Sequence, residues 1–208
     1  MSLAAVVPHL ARPPALLLQQ LVQSRGGRLL FDGLDLALHA GDLLWVQGRN
    51  GAGKTSLLRL ICGLSAPTAG RVHVEQGLLY IAHKPGLKDH LTVLEQLRSS
   101  AAVAGRACSE AEALAALAPV GLVDAAEQRQ ARLSEGQRRR AALAQLWLPQ
   151  VPPLWVLDEP LAALDTRMVE RLAQRLDRHA DEGGCAVFTS HQPLPLRRAT
   201  RSLRLGEH

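Results

Sequence analysis

The residues Gly48–Thr55 read GRNGAGKT, a glycine-rich turn that ends in a lysine and a hydroxyl side chain. Set between the strand-like run DLLWVQ and a helical run, G-x-x-x-x-G-K-[ST] is the context of a phosphate-binding loop. Glycines let the backbone curl so that N–H groups from about Asn50 to Lys54 face one anion, and the next helix adds the positive end of its dipole. Gly48, Arg49, Asn50, Gly51, Ala52, Gly53, Lys54, Thr55 and Ser56 are therefore candidate nucleotide-binding residues. Lys54 is assigned to the β- and γ-phosphates, Thr55 to Mg²⁺ and Ser56 to the α-phosphate. A dinucleotide fingerprint fails, because Gly51-Ala52-Gly53 is followed by Lys54-Thr55-Ser56 and not by a third glycine.

Three further stretches carry chemistry. LWVLDEP sets Asp158 and Glu159 at the carboxyl end of a hydrophobic strand, where open α/β sheets bind ligands. Asp158 suits Mg²⁺ through hard oxygens, and Glu159 is placed to polarise an attacking water. In RLSEGQRRRAALAQLWL, Ser134 with Glu135 in the first turn and Gln137 three residues on forms a helix N-cap pattern. The triple arginine Arg138–Arg140 reads as a solvated helix face or an interface cluster, with a nucleic-acid patch as the weaker alternative. His83 closes the apolar run GLLYIA; that segment alone fits a metal ligand, a proton carrier or a filled position.

The elements that must position these residues alternate. Apolar runs near Ala15–Leu21, Leu34–Leu38 and Asp42–Gln47 predict strands, with turns at Gly26-Gly27 and Ala40-Gly41. A helix follows from the phosphate loop to Gly63, then two short strands in GRVHVEQGLLYIA. From Leu91 to about Leu148 the pattern turns Ala-, Leu-, Glu- and Arg-rich with helical spacing, a helical block set between strands. PLWVLDEP, a helix over Thr166–Ala180 and CAVFTS complete a mostly parallel α/β core.

Composition narrows the partners. The 208 residues carry 24 Lys+Arg against 19 Asp+Glu, a charge of +5 that suits phosphate ligands, nucleic acid or an anionic membrane surface alike. Aromatics at 3% argue against stacking platforms for single-stranded nucleic acid. Cys62, Cys108 and Cys185 form no C-x-x-C pair, which speaks against structural zinc and a disulfide framework. No apolar run approaches the roughly 20 residues of a membrane span. The start, MSLAAVVPHLARPPALLL, is broken by prolines and makes a poor secretory signal; residues 1–14 are expected to be an N-terminal extension.

The phosphate loop, L-S-x-G-Q, the strand-borne Asp-Glu and His191 in TSHQPL follow one another in the order found in the ATP-binding-cassette (ABC) ATPases, which this chain resembles from about Leu16 to Leu205. The resemblance implies a P-loop core of the ABC ATPase type over residues 15–208, an antiparallel β subdomain and a small inserted helical lobe at about 91–148. It implies ATP and Mg²⁺ as ligands, Glu159 as general base, and Lys54 and His191 on the γ-phosphate. Ser134, Gly136 and Gln137 would meet ATP bound to a second copy in a head-to-tail sandwich, and Asp165 in LAALD would lie in the loop between protomers. Four positions depart from the family pattern: Gln23 stands where an adenine-stacking aromatic is common, Glu135 for a glycine, Ala162 for Ser/Thr, and His83 for a glutamine.

YIAHKPGLKDHLTVLEQL, LWVLDEPLAALD and HQPLPL are similar to one branch of that family, the ATP-binding subunits of bacterial cytochrome c maturation, often described as heme exporters. His83 is common at the glutamine position there. Imidazole is a poor Mg²⁺ ligand, so His83 is expected to act through a hydrogen bond to water or the γ-phosphate and to couple nucleotide state to the partner. The resemblance implies an integral-membrane permease as partner, a peripheral place on the cytoplasmic face of the inner membrane, and no nucleic acid. An ATPase of another small ABC exporter is the alternative, and a soluble ABC ATPase acting on nucleic acid the weaker one.

Overall fold

The computed structural model describes residues 13–206. The expected N-terminal extension lies almost wholly outside the described residues. The chain runs β1 (Leu16–Arg25), β2 (Arg28–Leu38), β3 (Leu43–Gln47), α1 (Lys54–Ile61), β4 (Ala69–Val74) and β5 (Leu78–Ile81). Three helices follow, α2 (Val93–Val103), α3 (Glu110–Leu117) and α4 (Glu135–Leu143), and then β6 (Leu154–Leu157), α5 (Thr166–Asp181), β7 (Cys185–Thr189) and β8 (Arg201–Arg204).

Two sheets result. β2-β1-β4 is antiparallel, its first hairpin closed by the two-residue turn Gly26-Gly27. The order β5-β6-β7-β3-β8 is parallel throughout. Every residue of β6 and β7 is buried, as a parallel strand covered on both faces requires. Leu57, Leu58, Leu60 and Ile61 of α1 fill the space between the two sheets, while Leu172 and Leu176 of α5 pack with Trp155 and Phe188 on the opposite face of the parallel sheet.

The helical block has a hydrophobic cluster of its own, built from Val93, Leu94 and Leu97 of α2, Ala113 and Leu117 of α3, and Ala141 of α4. Capping boxes open all three helices, Thr92 with Glu95, Ser109 with Glu112, and Ser134 with Gln137. Each box fixes by local hydrogen bonds where its helix begins.

Two strands differ from expectation. β2 begins at Arg28 rather than near Leu34, because pairing with β1 reaches the turn even though Asp32 and Gly33 interrupt the apolar pattern. β8 was hidden by its composition, RSLR, and exists because β3 offers it a parallel partner at the sheet edge. The C-terminal arginines hold this end down: Arg197 and Arg198 bind Asp177 and Asp181 of α5, and Arg201 reaches Asp42 at 2.9 Å.

Candidate functional site

Because β3, β6 and β7 run parallel, their carboxyl ends open onto one edge. There they deliver Gly48, Asp158 and Ser190 side by side, and a cavity of about 670 Å³ lies above them. That size suits a small organic ligand. Its lining includes the loop residues Arg49, Asn50, Gly51, Gly53, Lys54, Thr55 and Ser56, together with His83, Asp158, Glu159 and His191. Gly48 and Ala52 of the loop are absent from that lining and pack inward: a Cβ on Gly48 would stand 2.7 Å from the Leu205 carbonyl oxygen.

The loop turns into α1 at Gly53, whose φ of 101° is left-handed and whose Cβ would crowd Leu30 at 3.2 Å. Lys54 Nζ donates to the Gly48 carbonyl at 2.7 Å and to Arg49 O at 3.4 Å, so the ammonium spans the loop.

Across the cavity, Asp158 is 2% exposed. Its Oδ1 accepts from Thr189 Oγ1 at 2.8 Å, while Oδ2 is buried with no hydrogen-bond partner. An orphaned carboxylate oxygen next to a phosphate loop fits a hard divalent cation. No group of three or more His, Cys, Asp or Glu side chains among the described residues could hold a metal unaided. Mg²⁺ would fit here, with Asp158 and Thr55 as the residues to hold it beside a phosphate-bearing ligand. Burial first, and then the Asp158 charge, push the Cys62 thiol and the Tyr80 hydroxyl each up to about 12.

Glu159 sits at φ +48°, a left-handed conformation that costs a non-glycine residue on the order of 1 kcal/mol. Its N–H donates to Thr189 Oγ1 at 2.8 Å and its carbonyl accepts from Arg139 Nη2 at 2.6 Å. Both sides of the strained residue are thus pinned. His191 Nε2 lies 3.5 Å from Glu159 Oε1, presented by a tight turn in which Gln192 N–H donates to Ser190 Oγ.

Ser134, Gly136, Gln137 and Asp165 lie outside that cavity's lining, and His83 borders a second cavity as well. Ser134 is exposed at the start of α4, where its hydroxyl accepts from Gln137 N–H at 3.2 Å. Gly136 follows, packed so closely that a Cβ would stand 2.9 Å from the Ala163 carbonyl oxygen. Asp165 caps α5, accepting from Met168 N–H at 2.7 Å. His83 is exposed and borders a second cavity of about 400 Å³, shared with Lys84, Glu135, Arg138 and Ala162.

Several participants escaped the sequence reading. Gln23 is absent from the cavity lining and donates to its neighbour's carbonyl; Arg25, Arg28 and Leu30 line that end, with no aromatic ring. Arg138–Arg140 is a solvated face only in part. Arg138 pairs with Asp89, Arg140 donates to Val120 O at 3.0 Å, and Arg139 is 3% exposed. The missed signal was periodicity: Arg139 shares a helical stripe with the buried Ala142, Leu143 and Leu146.

The profile of the ABC transporter family matches residues 31–162. The chain is 45% identical over 208 residues to the cytochrome c biogenesis ATP-binding export protein CcmA of Pseudomonas syringae pv. syringae, covering 93% of this chain and 96% of that protein. It is 46% identical to CcmA of Methylococcus capsulatus over 88% of this chain and 93% of the relative, and 44% identical to that of Escherichia coli K12 over 85% and 88%. Among solved structures, an ATP-binding cassette captured as a dimer after hydrolysis, bound to ADP and Pi, superposes with a TM-score of 0.81. It covers 91% of this chain and 94% of its own at 23% identity, a likeness of fold. An ATP-binding subunit of an ABC transporter superposes at 0.75 with 25% identity, covering 85% and 79%.

The orphaned oxygen yields a direct test. Asp158→Asn should weaken ATP binding in Mg²⁺ by about tenfold or more while leaving Mg²⁺-free binding within about twofold, read by titration calorimetry with and without EDTA. Equal affinities in both conditions would remove Asp158 from the cation site.

Proposed function

The chain belongs to the ABC transporter family, and from that membership we propose that it is the ATP-hydrolysing subunit of an export complex for cytochrome c biogenesis, with heme as the delivered cargo. The observation that carries this reading is 44–46% identity, over 85–93% of the chain, to relatives named for that export role. The gathering of Lys54, Asp158, Glu159 and His191 around one cavity supports the chemistry.

In this reading the triphosphate lies along the loop, with N–H groups of Asn50–Lys54 and the α1 dipole on its β- and γ-oxygens. Thr55 and Asp158 would hold Mg²⁺, which supplies charge neutralisation on the same oxygens. Glu159 orients a water for in-line attack on the γ-phosphorus and takes its proton; a new P–O bond forms to that water, the bond from the γ-phosphorus to the bridging oxygen breaks, and ADP is the leaving group beside inorganic phosphate. His191 contacts the γ-phosphate and keeps Glu159 aligned. Most of the rate enhancement comes from positioning and charge.

The adenine end offers Arg25 and Arg28 in place of an aromatic residue. A guanidinium plane stacks on a π-face, so the purine lies against these two arginines beside Leu30. Ser134, Gly136 and Gln137, remote from the chain's own cavity, complete the site of a second copy, and Asp165 lies in the loop between the two. His83, bordering both cavities, carries nucleotide state toward an integral-membrane permease. Among the described residues no helix is long and apolar enough to cross a membrane; we place the chain on the cytoplasmic face, held by that permease.

Two experiments test this. Glu159→Gln should cut turnover by about 10²-fold or more and trap an ATP-bound dimer visible by size exclusion, whereas unchanged turnover would remove Glu159 as the base. Arg25→Ala/Arg28→Ala should weaken ATP binding about three- to tenfold and leave tripolyphosphate binding unchanged. Equal losses for both ligands would mean that the arginines serve the phosphates.

A further inference from the structure

Arg139 leaves α4 and ends inside the protein core, under the site rather than in it. A guanidinium has five N–H donors in one plane, and all five are used. Nη1 donates to Ala82 O at 2.7 Å and His83 O at 3.3 Å; Nη2 donates to Asp158 O at 2.7 Å and Glu159 O at 2.6 Å; Nε donates to Pro160 O at 3.4 Å. Every acceptor is a backbone carbonyl, and Arg139 forms no ion pair among the described residues. Burial lowers its pKa, while the nearby Asp158 and Glu159 charges raise it. A cation has been desolvated to hold two loop segments together: the one after β5 that carries His83, and the one after β6 that carries Asp158 and Glu159.

We propose that Arg139 is a positioning residue for hydrolysis, clamping the backbones of Glu159 and His83 in register and tying both to helix α4. Four observations converge on it. First, Glu159 is in a strained left-handed conformation; its N–H is held by Thr189, and its carbonyl accepts from Arg139 at 2.6 Å and from Ala162 N–H at 3.2 Å, the guanidinium being the closer and charged partner. Without the guanidinium the Glu159 carbonyl keeps only the longer hydrogen bond from Ala162 N–H at 3.2 Å, so the backbone that aims the carboxylate loses its tightest anchor. Second, the same fork holds the His83 carbonyl, so the proposed base and the proposed coupling residue share one anchor. Third, Lys would supply three donors from a single point and Gln two, so neither can span five carbonyls. Fourth, α4 fits closely against the loop beyond Glu159, Gly136 lying against Ala163 O.

The consequence for the assembled complex rests on the two-copy reading above. The start of α4 faces the partner's nucleotide, and Arg139, just over one turn further in, holds the hydrolytic residue of the chain's own site. A displacement of α4 on engaging the second ATP is then felt at Glu159 and His83 together, which makes the two sites interdependent.

The test uses R139Q and R139K in the full chain, each alone and in an E159Q background. R139Q should lower kcat about 30- to 100-fold, since an ångström of misplacement is worth that much, while the Kd and KM for ATP stay within about threefold. R139K should fall between R139Q and the parent. In the E159Q background, single-turnover hydrolysis should fall little further on adding R139Q, because a residue that acts through Glu159 has nothing left to position. Unchanged kcat in R139Q overturns the proposal. So does a parallel loss of affinity, kcat and melting temperature in both variants, or a full multiplicative loss in the double variant; either marks a general structural role. If E159Q alone turns over at the parental rate, the mechanism proposed for Glu159 fails, whatever R139Q shows.

Discussion

Two carboxylates, Asp158 and Glu159, stand in the cavity that must receive a triphosphate, and their repulsion for that ligand shapes the site. Every other feature of the cavity answers it. The loop presents N–H dipoles, α1 its positive end, and Lys54 a full charge. Asp158 keeps one oxygen unpaired in a buried position, a cost that a cation bound there would offset. Glu159, on a left-handed backbone, brings its Oε1 to 3.5 Å from His191 Nε2. The two acids are adjacent in sequence, yet one carboxylate is bound to Thr189 and the other faces His191.

The fold is what lets both tasks be met at once. A parallel sheet brings strand ends from distant parts of the chain to one edge, so the loop after β3, the acids after β6 and the histidine after β7 share a cavity without any long-range side-chain search. The helical block contributes no lining to that cavity, yet it reaches the site from behind through Arg139. Its own hydrophobic cluster and its locally capped helices make it a unit whose placement can be felt through one buried fork of hydrogen bonds.

What the sequence disclosed follows from how each feature is encoded. The phosphate loop, the acids at the end of β6 and the N-cap at Ser134 were legible because each depends on a short run of residue types with fixed spacing. The alternation of strands and helices was legible for the same reason. Arg139 was not, since three arginines in a row look like a solvated face and only the helical stripe with Leu143 and Leu146 betrays the buried one. β8 lacks an apolar run and is a strand only by virtue of its neighbour β3. Arg25 and Arg28 come to the cavity through a hairpin turn, a tertiary consequence that no local pattern announces. His83 could be placed only by resemblance; its segment alone left three readings open.

The central claim is that each hydrolytic site is completed by the α4 N-terminus of another copy. The most direct measurement is ATP turnover per chain as a function of chain concentration at saturating Mg²⁺ and ATP, with the oligomeric state followed in parallel by sedimentation. If the sites are shared, turnover per chain rises with concentration and tracks the dimer fraction, approaching zero where sedimentation shows only monomers. Constant turnover per chain, continuing undiminished into the range where only monomers sediment, would contradict it.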